Sequence, residues 1–215
     1  MKKYLIHLFV AAASLSLVMV SCNALQGVGD QIVGLANLAN CQYSMKNVSN
    51  VSIAGVSLDN VKNGDIGVAD LARLTTAVVS KKVPLTMDVN VDVKNPTTTN
   101  AALTAMEYIM SIDGTQVATG TTNKSYTIRK SATTTVALPI STDIYSVCNN
   151  INSLKTFVQS FSGDGTSSKI SLKIKPSLNV GDVKVSAPDY ITIQKTTGGN
   201  TGNSDSGTRR TINMD

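Results

Sequence analysis

Cys22 is the one residue in this 215-residue chain whose type and setting announce a covalent reaction. Lys2 and Lys3 precede an apolar run from Leu5 to Val20, and Ser21 stands immediately before the cysteine. The lysines hold the start of the chain on the cytosolic side, and the run has the length of a signal h-region rather than of a spanning helix. A small residue then marks the point of cleavage. Met19-Val20-Ser21-Cys22 resembles a bacterial lipobox with Met in place of the commoner Leu. The expectation is a signal peptide over 1–21, removed to leave Cys22 as a lipidated N-terminus.

Other chemistries leave with that leader. His7 is the only histidine, so the chain from Cys22 onward cannot build a Ser-His-Asp or Cys-His nucleophile system, nor a His-ligated zinc or haem site. Glu107 is the only glutamate and there is no tryptophan. Glycosidase chemistry needs paired carboxylates with split pKa values, and sugar platforms commonly offer an indole face; neither is advertised. We therefore expect no enzyme, no catalytic residues, no cofactor and no metal.

The remaining reactive types are few. Asp88 and Asp92 lie four residues apart on one face of an alternating segment, a spacing that suggests a cation site or, more simply, a solvated polar face that also carries Asn90. Cys41 and Cys148 would meet an oxidising compartment after export. They offer either a disulfide joining the first strand to the second helix or two small buried thiols, a choice that geometry decides. Tyr43, Tyr108, Tyr126, Tyr145 and Tyr190 read as core or rim residues rather than a stacking platform. The formal charge of +5, less Lys2 and Lys3, leaves +3, with lysines scattered singly and no aromatic-and-basic stripe. Nucleic acid is not an expected partner.

The elements that must position these residues are mostly strands. Residues 22–40 read as a short amphipathic tether with Ile32, Val33, Leu35 and Leu38, followed by a folded domain over 41–195. Cys41 to Leu58 reads as two short strands or one strand bulged at Gly55. A helix then starts at an Asp65 cap and carries Ile66, Ala69, Leu71, Leu74 and Val78. In Val83 to Lys94, Leu85, Met87, Val89, Val91 and Val93 alternate with polar residues, a period of two with one buried and one wet face, stopped at Asn95-Pro96. Leu103 to Ile112 makes a hairpin through Asp113-Gly114 into Thr115 to Thr119. Tyr126 to Arg129 and Thr133 to Ile140 are further strands. A second helix, capped by Ser141 or Asp143, is expected to run through Ile144, Val147, Ile151, Leu154, Val158 and Phe161. Lys169 to Lys175, Val180 to Ser186 and Tyr190 to Gln194 complete the β set. Residues 196–215 lack the apolar area that offsets ordering entropy and read as a disordered tail.

The succession Val83-Pro84-Leu85 to Asn95-Pro96, Leu103, Tyr108, Ile112-Asp113-Gly114, Val117-Ala118-Thr119-Gly120, Ile128 and Val136-Ala137-Leu138-Pro139-Ile140 resembles the WHy domain of group-two late-embryogenesis-abundant proteins. The resemblance is strongest from Lys82 to Asp143, and the flanks look like versions found in bacterial lipoproteins. It implies a fibronectin-III-like sandwich, an association with desiccation or membrane stress, and no catalytic residues. Where the family has Asn-Pro-Asn, this chain has Asn95-Pro96-Thr97, a departure expected to loosen the turn.

Together these readings predict a mainly β chain, an immunoglobulin- or fibronectin-III-like β-sandwich with two flanking helices. It would be held by Cys22 in the bacterial envelope, on the outer membrane facing the periplasm, where no acidic run after Cys22 redirects it outward. A protein or envelope-polymer partner would meet its binding face. Two other readings fit the same residues: a structural subunit of an envelope assembly joined by strand addition at an open edge, and an apolar-ligand carrier with a pocket beneath the Ile144 to Phe161 helix.

Overall fold

The computed structural model describes residues 33–34, 36–58, 61, 66–162, 167–180 and 183–198. Residues 1–32, on which the expected signal segment and Cys22 fall, lie outside them, as do Asp65 and residues 199–215. Within that span the chain is mainly β and its sheets are antiparallel.

One sheet has the order β2-β1-β3-β8, from β1 (Gln42–Ile53), β2 (Val56–Ser57), β3 (Pro84–Lys94) and β8 (Thr133–Asp143). β3 is its spine, because its alternation is strict. Leu85, Met87, Val89, Val91 and Val93 are buried while Thr86, Asp88, Asn90 and Asp92 turn outward. A residue slip would reverse every one of those faces, and β3 pairs with β8 without irregularity from Pro84↔Asp143 to Lys94↔Thr133. β1 is less regular. Its register against β3 shifts between Met45 and Asn47 and again between Ser49 and Ser52.

Gly55, expected to form a bulge, instead closes the β1–β2 hairpin. Ile53 pairs with Val56, and Ala54 (φ 50) and Gly55 (φ 79) both take left-handed backbone, as a two-residue type I′ turn requires. The bulges sit earlier in the strand. Ala54 carries the cost of that conformation with no compensating side chain, since a Cβ in the left-handed region is strained. Ala54→Asn is therefore expected to raise stability by about 0.5–1 kcal/mol, read as a higher urea midpoint at unchanged slope.

The second sheet has the order β10-β9-β5-β6, with β11 also on β9. It is built from β5 (Ala105–Ile112), β6 (Thr115–Thr122), β9 (Ser167–Val180), β10 (Val183–Ser186) and β11 (Ile191–Gly198). The long β9 is shared: β11 pairs with residues 167–174 and β10 with residues 177–180 along the same flank. Asp113 (φ 48) and Gly114 (φ 86) form the expected β5–β6 turn. The strand expected from Leu103 is split at Thr104. Before it, β4 (Ala101–Leu103) pairs only with β7 (Tyr126–Ile128); after it, β5 joins the larger sheet. Thr104 manages the switch by donating from its backbone N to Ser177 O at 2.9 Å and accepting from Asn179 N at 2.9 Å.

Both sheets turn their apolar sides into one cluster. Val89, Leu138 and Val136 from the first sheet and Met110, Ile112, Leu172 and Ile174 from the second are all fully buried there. Gly120 in β6 lies opposite Tyr108, and a Cβ on it would clash with the hydroxyl end of the phenol, 2.5 Å from Cζ. An alanine there must displace that ring.

Two helices join the cluster. α1 (Val68–Val79) buries Leu74 and Ala77, and its N-cap is Gly67, without a side-chain cap. α2 (Ile151–Ser162) starts later than expected, because Ser141 and Asp143 are the last residues of β8. Ile144 to Cys148 form turns, and Asn150 caps the helix, its Oδ1 accepting from Ser153 N at 2.9 Å. The apolar stripe reads as continuous helix because Ile144 and Cys148, though in turns, are as buried as Leu154 and Val158. Ahead of β1, residues 36–39 are helical, and Leu38 is buried in the same cluster.

Candidate functional site

Strand register decides what the acidic residues can do. Asp88 and Asp92 share the outer face of β3 but stand about 13 Å apart along an extended strand, too far to ligate one cation. Each carboxylate already has a partner. Asn50 Nδ2 donates to Asp88 Oδ2 at 2.6 Å, and Thr135 Oγ1 donates to Asp92 Oδ1 at 2.6 Å, with Lys46 Nζ 3.8 Å from the same oxygen. Between them Asn90 Nδ2 donates to Asn47 Oδ1 and Ser49 Oγ at 3.1 and 3.0 Å. This is a hydrogen-bonded, solvated face. Among the described residues no group of three or more His, Cys, Asp or Glu side chains could hold a metal ion.

The two internal cysteines are free and buried. Cys41 precedes Gln42, which pairs with Lys94 at one end of β3, whereas Cys148 lies beside Ile144, whose N donates to Val83 O at the other end. An eleven-residue strand separates them by roughly 30 Å, so the bridge between strand and helix cannot form in this fold. Burial pushes the Cys41 thiol up to about 11 and the Cys148 thiol up to about 12, Asp113 adding to the second. Both are therefore poor nucleophiles at neutral pH.

Because a raised thiol pKa means that the fold prefers the protonated form, this contribution is fully present below the unfolded thiol value. It is lost as pH climbs from there toward 11 and 12. Each thiol is expected to cost about 1.4 kcal/mol per pH unit in that window. Urea midpoints measured from pH 8 to pH 10.5 should fall, and Cys148→Ala should remove part of the slope.

Asn95 is the most completely used polar side chain. It is 0% exposed, yet Nδ2 donates to Thr99 O at 2.9 Å and Ile128 O at 3.1 Å, and Oδ1 accepts from Thr97 N at 3.0 Å and Thr97 Oγ1 at 2.7 Å. Thr97 supplies two of those bonds, so its presence in place of the family's second asparagine does not loosen the turn. Asn95 is a structural knot.

Sequence reasoning missed a cluster on the outer face of the second sheet. Register places Glu107 opposite Lys175, and the β9–β10 hairpin swings Lys184 Nζ to 2.7 Å from Glu107 Oε1. Lys175 Nζ lies 5.6 Å from the centre of the Tyr190 ring. The Lys184 hydrogen bond, then the nearby charges of Lys184 and Lys175 and a bond from Tyr190, hold the Glu107 carboxyl below its ordinary range. No local pattern announces this group, since its members come from β5, β9, β10 and the approach to β11. The other tyrosines are core and rim residues: Tyr43 donates to Leu38 O at 2.9 Å and is pushed well above its ordinary pKa by burial, and Tyr126 sits beneath Lys124.

The space beneath α2 is filled. Leu154, Phe157 and Val158 are buried against the core, and Phe157 meets Phe161 edge-on with ring centres 5.2 Å apart. A shallow groove of about 490 Å³ lies elsewhere, between Ala72, Arg73 and Thr76 of α1, Ser80 and Lys82 after it, and Ala54 of the first turn. No helix among the described residues is long and apolar enough to cross a membrane.

The sequence profile of a family described as late embryogenesis abundant protein matches residues 90–187, from the middle of β3 to the end of β10. No curated protein matches the chain. Among solved structures, a crystal structure of a protein from Archaeoglobus fulgidus is 14% identical and covers 73% of this chain and 98% of its own, with a TM-score of 0.35. A solution structure of an Arabidopsis thaliana protein is 12% identical over 73% of this chain and 80% of its own, with a TM-score of 0.41. A solution structure of a protein described as late embryogenesis abundant is 19% identical over 86% of this chain and 84% of its own, with a TM-score of 0.33. Over residues 90–187 the chain is thus late-embryogenesis-abundant-like.

Proposed function

We propose that this protein is a non-catalytic, lipid-anchored component of the bacterial envelope that works in stress protection through an immunoglobulin- or fibronectin-III-like β-sandwich. The observation that carries the reading is the family match over residues 90–187, which takes in Asn95-Pro96 and most strands of the second sheet. The polar side chains described above are occupied in holding turns and sheet faces, a use consistent with a scaffold. The anchoring half of the proposal comes from the leader and Cys22. Two acyl chains on the thiol with a further amide-linked chain bury enough methylene for durable attachment, so weak contacts become effective at the surface.

Metabolic labelling with palmitate, followed by fractionation, tests the anchor. The wild-type chain should carry label and sediment with outer membranes, whereas Cys22→Ala should lose the label and appear in the soluble fraction. A Cys22→Ala chain that stayed in the membrane with the same yield would overturn the lipidation. Survival of drying by cells that lack the protein, compared with cells re-supplied with it, tests the protective role. Equal survival would overturn it.

A further inference from the structure

We propose that the outer face of the β10-β9-β5-β6 sheet is a docking surface for an anionic bilayer. The inference rests on the anchored reading only in that the anchor would bring this face to the membrane.

The two sheet faces differ in charge. Along β9 the outward residues are Lys169, Ser171, Lys173 and Lys175, and Lys184 of β10 joins them. Their neighbours across β5 and β11 are Glu107, Ile109, Ser111, Thr192, Gln194 and Thr196, of which Glu107 alone is charged. Two described acids lie against this row. Glu107 is bonded to Lys184, and Asp113, at the far end, accepts from the backbone N of Lys169 at 2.7 Å. Four cations thus stand against three acids at most, counting exposed Asp189 beside Tyr190 in sequence, whereas the outer face of the other sheet sets Asp88, Asp92 and Asp143 against Lys46 and Lys94 and has no excess of cations.

A second observation points to a lipid surface. At the β10 end of this face Tyr190 is 41% exposed and lies beside Lys175. Tyrosine rings and lysines with extended stems are the residues that settle at the headgroup level. The N-terminal segment enters at that same end, since a Cβ on Gly34 would lie 3.5 Å from Leu178 of β9. Ten residues stand between Cys22 and Val33, so the eleven steps reach at most about 40 Å. The lysine face therefore lies within the anchor's radius.

The test is lysine acetylation footprinting of the full chain reconstituted into phosphatidylcholine vesicles, with and without one quarter phosphatidylglycerol. Lys169, Lys173, Lys175 and Lys184 should be labelled severalfold more slowly in the anionic vesicles, an effect erased by high salt, while Lys46, Lys94 and Lys130 should not change. In the variant K169Q/K173Q/K175Q, Lys184 should return to the rate seen in neutral vesicles, because three cations of this kind account for roughly a hundredfold in surface partition. Equal labelling in both vesicles by a chain that sediments with neutral lipid would overturn the docking and leave the anchor standing. Sedimentation with anionic vesicles alone, together with protection, would support the docking and overturn the anchor. Protection by a soluble polyanion but not by vesicles would overturn the bilayer as the occupant.

Discussion

Asn95→Asp is expected to lower stability by at least about 3 kcal/mol, enough to unfold a large part of the protein at neutral pH. The side chain is fully buried, and its amide nitrogen faces two carbonyl oxygens, those of Thr99 and Ile128. Replacing that nitrogen with a carboxylate oxygen removes both donors and sets a buried charge against two acceptors. Asn95→Ala, which deletes the bonds without adding charge, should cost about 2–3 kcal/mol through the polar groups it leaves unpaired. Because the aspartate could fold only in its protonated form, its folded pKa would be raised. The deficit of the variant should therefore shrink as pH falls from 7 toward 5. Urea unfolding at the two pH values measures this, and a variant within 1 kcal/mol of wild type at pH 7, on the order of a single ordinary hydrogen bond, would show that Asn95 is not the knot described.

Leu138→Ala and Met110→Ala should each cost about 2–5 kcal/mol, one from each sheet. Both side chains are fully buried in the common cluster, and the close-packed surroundings relax only partly around a missing side chain. Thr135→Ala, on the outer face of the same strand as Leu138, removes an exposed bond to Asp92 and should cost under about 1 kcal/mol. If the three variants lost stability equally, the inside and outside of β8 would be misassigned.

Much of this architecture was legible beforehand. The period of two in β3 and β8 survives into the structure because those strands are buried on one side only, so side-chain alternation and solvent exposure coincide. Asp113-Gly114 was readable because two left-handed residues in succession demand such a pair. Ala54-Gly55 escaped because alanine is a poor signal for that geometry. The start of α2 was misplaced because burial, which the apolar stripe reports, does not distinguish a helix from turns packed on the same core. The Glu107, Lys175, Lys184 and Tyr190 cluster was invisible, since strand pairing over 77 residues of separation brings its ion pair together. The separation of Cys41 from Cys148 was equally hidden, being a property of β3's length and direction rather than of either cysteine's neighbourhood.

The bulge in β1 has a consequence beyond local irregularity. Lys46 is displaced from the ladder, and its carbonyl is taken by Lys195 Nζ of β11 at 2.5 Å, so that β11 lies against β1. Across the molecule Thr142 Oγ1 of β8 donates to Val117 O, in the irregular stretch of β6, and β6 lies against β8. Each sheet thus has a border stitched to the other by a side chain reaching a main-chain oxygen. When copies of the chain crowd together, each such bond takes one backbone acceptor out of an edge that a neighbour could otherwise pair with, which works against edge-to-edge association.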